Sequence, residues 1–268
     1  MNWTETCAVV IPCFNEASAL PALLPQVRQH LPRIIVVDDG SFDGTAPAAA
    51  QAGATVLRHP HRAGKGAALA TGLRYLHQLG QDWALLMDGD GQHDPADIPR
   101  FLAAATRTAA SLIVGNRMTA AAPMPWLRRT VNRWMSQRLS RFTRCSLPDS
   151  QCGFRLLRLS VWATLPLETA HFETESELLI RWVEGGHALS FIPITVIYGN
   201  EQTKISPLTD TWRWFRWFGK TVARRTWLGP AQTRRAHSPC HGYASSAPPL
   251  LSPGKILHST IPSAKLQS

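Results

Sequence analysis

Five short apolar runs, separated by helix-like stretches, constrain the fold of this chain more than any other feature. They cover residues 7–12, 34–38, 54–57, 83–88 and 111–115, with helical patterns at 17–30, 43–53 and 64–79 between them. Strands that alternate with helices build βαβ units and a mostly parallel sheet. Runs that are apolar throughout, such as Ile34-Ile-Val-Val before Asp38, belong to strands covered on both faces. The expected class is α/β, a mostly parallel, Rossmann-like sheet flanked by helices. In such sheets ligands bind beyond the carboxyl ends of the strands. Polar residues do follow the first run (Asn15, Glu16), the second (Asp38, Asp39), the fourth (Asp88, Asp90) and the fifth (Asn116, Arg117). Four strands thus deliver polar groups to one rim.

The chain divides into a first half over 1–120, a second half over 121–229 and a tail over 230–268. In the second half, 126–142 sets Leu127, Val131, Trp134, Met135, Leu139 and Phe142 on one helical face. Residues 149–157 read as irregular, 175–184 as helix, 189–198 as strand and 209–227 as a last amphipathic helix. The tail holds six Pro, seven Ser and no Asp or Glu, the composition of a disordered segment. No stretch reaches the roughly 20 apolar residues of a spanning helix, and the first residues lack a basic-then-apolar leader. Five cysteines without a Cys-x-x-Cys pair fit reduced thiols in the cytoplasm better than a disulfide framework or a zinc site.

The strongest chemical signal is Asp88-Gly89-Asp90-Gly91-Gln92. Two carboxylates one residue apart at a strand's end can reach one hard cation, and oxygen ligands suit Mg or Mn. The competing reading is a plain Asp-Gly turn. Asp94-Pro-Ala-Asp97 has the form of an N-cap with Pro at the first helical position and a reciprocal acid. His93 is either close to the metal or an ordinary loop histidine. Asp38 and Asp39 can accept hydrogen bonds from a base or ribose, or close a tight turn. Arg62-Ala-Gly64-Lys65-Gly66 is not a Walker loop, because His59 and Gly66 stand where that pattern needs Gly and Ser or Thr. A lysine at a helix start can nonetheless meet phosphate.

In this order the motifs resemble those of the family 2 glycosyltransferases with the GT-A fold, in particular the dolichol- and polyprenyl-phosphate sugar synthases. The blocks are Val10-Ile-Pro12-Cys-Phe14-Asn15-Glu16, Asp38-Asp39-Gly-Ser-Phe-Asp43-Gly-Thr45, Gly64-Lys65-Gly66, Asp88-Gly-Asp90-Gly-Gln92-His93, Gly115-Asn116-Arg117 and Asp149-Ser-Gln-Cys-Gly153-Phe154-Arg155. The resemblance implies a metal-dependent enzyme that moves a sugar from a nucleotide-diphosphate sugar with inversion at the anomeric carbon. It implies that Pro12, Phe14, Asn15, Glu16, Asp38, Asp39, Lys65 and Gly89 form the donor site. Asp88, Asp90 and Gln92 would hold Mg or Mn and the diphosphate, with Arg117 on the donor phosphates or the acceptor. Lys204 resembles a late loop lysine that closes over the donor, although Tyr198 stands where some relatives carry arginine. The acceptor side would draw on Asp149, Gly153, Phe154, Arg155, Glu175 and Glu177.

Two questions stay open at this level. A hydroxyl acceptor needs a general base, for which Asp149, Glu173, Glu175 and Glu177 are candidates; a lipid-phosphate acceptor is already ionised and needs none. The other is the membrane. The last helix gathers Arg213, Arg216, Lys220 and Arg224 on one face and Trp214, Phe215, Phe218 and Val222 on the opposite one. That pattern suits a helix lying on anionic lipid, or one packed on the core with a solvated basic side. The expectation is a cytoplasmic protein, peripheral on the inner membrane face. The formal charge of +10 favours polyanionic partners, yet no nucleic-acid-binding motif accompanies it, so no nucleic acid is expected as partner.

Overall fold

The computed structural model describes residues 1–119, 124–197 and 207–227. Its strands are β1 (Cys7–Cys13), β2 (Ile34–Asp38), β3 (Thr55–Arg58), β4 (Trp83–Leu86), β5 (Leu112–Asn116), β6 (Arg155–Arg158) and β7 (Leu189–Pro193). The helices are α1 (Trp3–Thr6), α2 (Leu20–Arg28), α3 (Thr45–Gln51), α4 (Lys65–Gln78), α5 (Ile98–Arg107), α6 (Trp126–Thr143), α7 (Leu159–Trp162), α8 (Thr174–Glu184) and α9 (Pro207–Trp227). The seven strands form one sheet in the order β3-β2-β1-β4-β6-β5-β7. The expected α/β architecture is present, with β1, β2, β3 and β4 parallel and β5 parallel to β7.

β6 departs from expectation. Residues 149–157 read as irregular, but Arg155–Arg158 lies antiparallel between β4 and β5, with Leu85 opposite Leu156 and Ile113 opposite the same residue on the other side. Leu156 and Leu157 are fully buried. An antiparallel partner places the start of β6 beside the end of β4, so the segment that precedes β6 is carried to the rim where β4 ends. β7 is shorter than the expected strand and stops at Pro193, although Val196 makes an isolated bridge to His93. Tyr198 lies outside the described residues.

β1, β2 and β4 carry the core: every residue of β2 and β4 is buried, and all of β1 but Pro12. β3 is one of the two edge strands and stays partly exposed. Cys7, Cys13 and Cys152 are buried free thiols. Cys145 is not one of them, so the expectation of reduced thiols holds for these three.

Of the two long helices of the second half, α6 corrects the predicted face and α9 takes the core-packed alternative at Trp214. On α6, Leu127 is exposed, and the buried side runs through Asn132, Met135, Ser136, Leu139 and Thr143. On α9, Trp214 is buried, donates Nε1–H to Ser176 Oγ at 2.9 Å and stacks on Phe218 at 4.9 Å. Trp214 therefore packs on protein, because Ser176 and Trp134 offer it a polar and an aromatic partner, while Phe215 of the same stripe stays exposed. Trp134 meets Trp214 and Phe215, while Phe142 meets Phe218 and takes a hydrogen bond on its carbonyl from Arg225. The contacts run in the same direction on both helices, so α6 and α9 are parallel neighbours. Trp126 (77%) and Leu127 near the start of α6, and Trp212 (60%) on α9, face solvent.

Candidate active site

The tips of β1 and β2 are laced into one ledge. Asn15 adopts a left-handed backbone (φ 56°), donates its amide to Ser41 Oγ (2.9 Å) and accepts from the Phe42 amide on Oδ1 (3.2 Å). The Glu16 amide donates to Thr45 Oγ1 at 2.8 Å. Asp38 is fully buried and accepts from the Ser41 amide (2.9 Å); Arg58 Nε approaches its second oxygen at 3.1 Å, an ion pair without hydrogen-bond geometry. Asp39 accepts from the amides of Ala63 and Gly64, each at 2.8 Å, and meets His59 Nδ1 at 2.7 Å. These bonds fix the loop that leads into α4. Phe14 lies half-buried beneath the Arg62 guanidinium, 4.3 Å from its ring centre, and edge-on to Phe42.

Gly64 starts α4 with φ 107°, a conformation that disfavours a side chain, and a Cβ there would lie 2.6 Å from the Ala170 carbonyl oxygen. The helix start is therefore pressed against the 170–171 segment, which brings Lys65 to the end of β4. Lys65 Nζ sits 2.6 Å from Asp88 Oδ1 and 2.8 Å from Glu175 Oε1. Burial alone would lower its pKa, but the two acids outweigh that and hold the ammonium well above the usual lysine range. Burial likewise opposes charge on Asp88, yet Lys65 more than compensates, and the carboxyl lies far below the ordinary aspartate value. Asp90, whose Oδ1 accepts from the Gln92 amide at 3.0 Å, is pushed upward by burial and then by the neighbouring Asp88 charge.

His93 is a buttress. Its Nδ1 accepts from the Asp88 amide (3.2 Å), its ring stacks on buried Phe154 at 5.0 Å, and burial lowers its pKa. Accepting on Nδ1 leaves the proton of the neutral ring on Nε2, which stands 4.0 Å from Asp88 Oδ2. Asp94 caps the short 3-10 turn that follows by accepting from the Ala96 amide, as its motif predicts. Asp97 does not reciprocate. It accepts instead from Arg100 and from the Thr195 amide, because the chain beyond β7 passes within its reach.

The acceptor-side motif closes the site from the other flank. Gly153 lies against Asp88: a Cβ there would stand 2.8 and 2.9 Å from the two carboxylate oxygens and 3.0 Å from Lys65 Nζ. Asp149 is completely buried and takes the Arg117 amide (3.0 Å), Nε (2.8 Å) and Nη2 (2.9 Å), together with Asn132 Nδ2 (3.1 Å). Burial opposes both charges of this pair. Their mutual attraction prevails, lowering the pKa of Asp149 and raising that of Arg117. Arg155 is a staple, donating to the carbonyls of Cys152, Ser150 and Glu175. Glu177 accepts from the amides of Glu168 and Thr169 and from the Thr169 hydroxyl, so it clamps the loop before α8.

Asp88, Asp90, Lys65, Glu175 and Gly153 are thus gathered at one point, with Arg117 in electrostatic reach of Asp88. Gly89 packs on Cys13 at the β1 tip, and the Gln92 carbonyl accepts from Ile197. Phe154, Arg155 and Glu177 support the site from behind; Pro12 stays half-buried within β1. Lys204 lies outside the described residues. Sequence reading passed over Asn132, although one signal was available: it sits a turn before Met135 on what proves to be the buried side of α6.

Comparison with known proteins follows the same lines. Residues 8–165 match the sequence family described as Glycosyl transferase family 2. The chain is 30% identical over 202 residues to the undecaprenyl-phosphate mannosyltransferase of Micrococcus luteus, spanning 70% of this chain and 82% of that protein. It is 30% identical over 207 residues to the polyprenol monophosphomannose synthase of Mycolicibacterium smegmatis, spanning 72% and 77%. Among solved structures, the glucosyl-3-phosphoglycerate synthase of Mycobacterium tuberculosis in complex with UDP superposes with a TM-score of 0.65 at 21% identity, over 84% of this chain and 82% of the other. The same enzyme bound to Mn2+, UDP and glucosyl-3-phosphoglycerate gives 0.64 at 19%. At these identities the structural match establishes the GT-A fold.

Proposed function

The chain belongs to glycosyl transferase family 2, and on that footing we propose that it transfers a sugar from a nucleotide-diphosphate sugar to a polyprenyl- or dolichyl-type lipid phosphate, with inversion, using Mg or Mn. The residues suit such a cation. Asp88 keeps 27% of its side chain exposed beside Asp90, and the charge on one pushes up the pKa of the other, a tension that a bound cation relieves. Among the described residues no third His, Cys, Asp or Glu joins them. The remaining ligands would come from Gln92, the donor diphosphate and water, in keeping with the few protein ligands that Mg takes. When bound, the cation supplies charge neutralisation for the departing diphosphate. Lys65 and Arg117 add fixed positive charge, each held in advance by a buried acid, so little reorganisation is needed as the leaving group gains charge. The half-buried Phe14 with Arg62 above it, and the ledge of Asn15, Glu16, Asp38 and Asp39, support a nucleoside seat at the β1 and β2 tips.

The lipid-phosphate acceptor rests on one observation above others: three of the four candidate bases, all but Glu173, are occupied. Asp149 is saturated by Arg117 and Asn132, Glu177 by the 168–169 loop, and Glu175 by Lys65. A phosphate oxygen attacks without losing a proton, so a site with its acids committed to pairing suits that nucleophile. The relatives at 30% identity are named for polyprenyl-phosphate acceptors. The exposed Trp126, Leu127, Trp212 and Phe215, with Arg216 and Lys220 nearby on α9, support a peripheral seat on anionic lipid. No described helix is long and apolar enough to cross a membrane.

The test is transfer of radiolabel from a panel of nucleotide-diphosphate sugars, with and without Mn, to a polyprenyl phosphate in detergent. The reading expects organic-extractable product that depends on metal and is lost in Asp90→Ala. Product confined to the aqueous phase with a soluble acceptor would instead establish a soluble-acceptor transferase on the same fold.

A further inference from the structure

Lys65 stands between two acids from distant parts of the chain. The ammonium bridges Asp88 and Glu175 at 2.6 and 2.8 Å, with the Phe172 ring centre 5.9 Å away. The side chains of Lys65 and Glu175 are 19% and 7% exposed. An ammonium on Asp88 and a divalent cation on the same carboxylate compete for the same oxygens and repel each other. Asp88 can therefore offer Oδ1 to a metal only if Lys65 first gives up that contact. Glu175 determines where the lysine then goes. It is buried, it already holds Lys65, and its own position is fixed through the carbonyl that Arg155 Nη1 grips at 2.8 Å.

We propose that Glu175 is a positioning residue: it is the second seat of the Lys65 ammonium, and it lets Asp88 exchange lysine for a divalent cation while the lysine stays beside the donor diphosphate. This rests on the metal-and-donor reading above and deepens it. It assigns Glu175 a part other than proton acceptor, because its carboxylate is committed to a cation throughout. It also explains why an acid of α8 is buried at the foot of a phosphate site, where a carboxylate would otherwise repel the donor.

Four full-length proteins test it: wild type, Glu175→Gln, Lys65→Met and the double variant. The measurement is Mn2+ affinity without nucleotide, from the electron paramagnetic resonance signal of free Mn2+, with unfolding temperature recorded for each. Groups that hold a metal's ligands typically alter affinity by about 10- to 100-fold. In Glu175→Gln, Lys65 has only Asp88 left as a charged partner, so Mn2+ binding weakens roughly tenfold. Lys65→Met removes the competitor and tightens binding, and Glu175→Gln has no further weakening effect in that background. The double variant replaces both charges together, which guards against a single variant that unfolds around an unpaired buried ion. An equal loss with and without Lys65 would mean that Glu175 acts through its own charge, and the proposal fails; no change in Glu175→Gln overturns it as well. A wild type that binds no Mn2+ removes the metal reading and this inference together, whereas binding without coupling between the two sites removes the inference alone.

Discussion

Replacing Asp149 with Asn isolates what the buried Arg117 pair contributes. The exchange keeps the shape of the side chain and removes its charge. In the native protein three Arg117 N–H groups and one Asn132 N–H converge on that carboxylate, which has no exposed surface, and Arg117 is itself nearly buried. An amide in its place offers one acceptor oxygen and turns an NH2 toward donors. Breaking a buried pair by neutralising one partner destabilises by roughly 3–5 kcal/mol, because the remaining charge is left without compensation. For a domain of this size each kcal/mol shifts the unfolding midpoint by about 2–4 °C, so Asp149→Asn should lower Tm by roughly 6–20 °C at neutral pH. The pH dependence has a definite sign. The folded pKa of Asp149 is depressed, so its stabilisation is present above the unfolded value of about 3.9 and fades as the pH falls from there toward the folded pKa. The gap between wild type and variant should hold from about pH 8 to 5 and narrow in acid. Calorimetry across that range decides the matter. A neutral-pH difference below about 1 kcal/mol, the scale of a solvated surface pair, would refute the claim that this pair is desolvated.

Asp90→Ala should lower sugar transfer by roughly a hundredfold or more while Tm moves little, since among the described residues the carboxylate accepts from the Gln92 amide alone; a large loss of Tm would reassign it to the fold. Trp214→Ala removes a buried, stacked and hydrogen-bonded ring and should destabilise by about 3–5 kcal/mol in urea unfolding. Trp212→Ala with Phe215→Ala should leave urea stability within about 0.5 kcal/mol yet weaken co-sedimentation with anionic vesicles; unchanged sedimentation sinks the lipid-facing assignment. Burial pushes the Cys7 and Cys152 thiols up to about 12, so both should resist iodoacetamide at pH 8 in the native state and react after denaturation, as read by peptide mass.

Much of the donor side was legible because its information is local. An apolar run followed by Asp88-Gly-Asp90, or a glycine before Lys65 at a helix start, carries its own geometry, and both came out where the pattern placed them. β6 was not legible, for a physical reason. Arg155-Leu-Leu-Arg158 has neither an alternating pattern nor a long apolar run, and its extended shape comes from the hydrogen bonds of β4 and β5 on either side. Long-range partners were hidden in the same way. Asp149 looked like a possible base until Arg117 and Asn132 were seen to consume it, and Glu177 until the 168–169 amides were. The faces of α9 were ambiguous because a tryptophan that stacks inside a protein and one that rests on lipid leave the same mark in sequence. Ser176, waiting to accept from Trp214, is what separates them.

The place of β6 also sets an order of assembly. β1 to β4 can pair as they leave the ribosome, β2, β3 and β4 each finding a neighbour already made. β5 cannot: both of its partners, β6 and β7, are synthesised after it. Until β6 arrives, β4 ends the growing sheet with an open flank, and β5 waits unpaired. The bridging of β4 to β5 and the delivery of Gly153 to Asp88 therefore both depend on β6, so a nascent chain halted before residue 155 should lack the transferase cleft as well as part of its sheet.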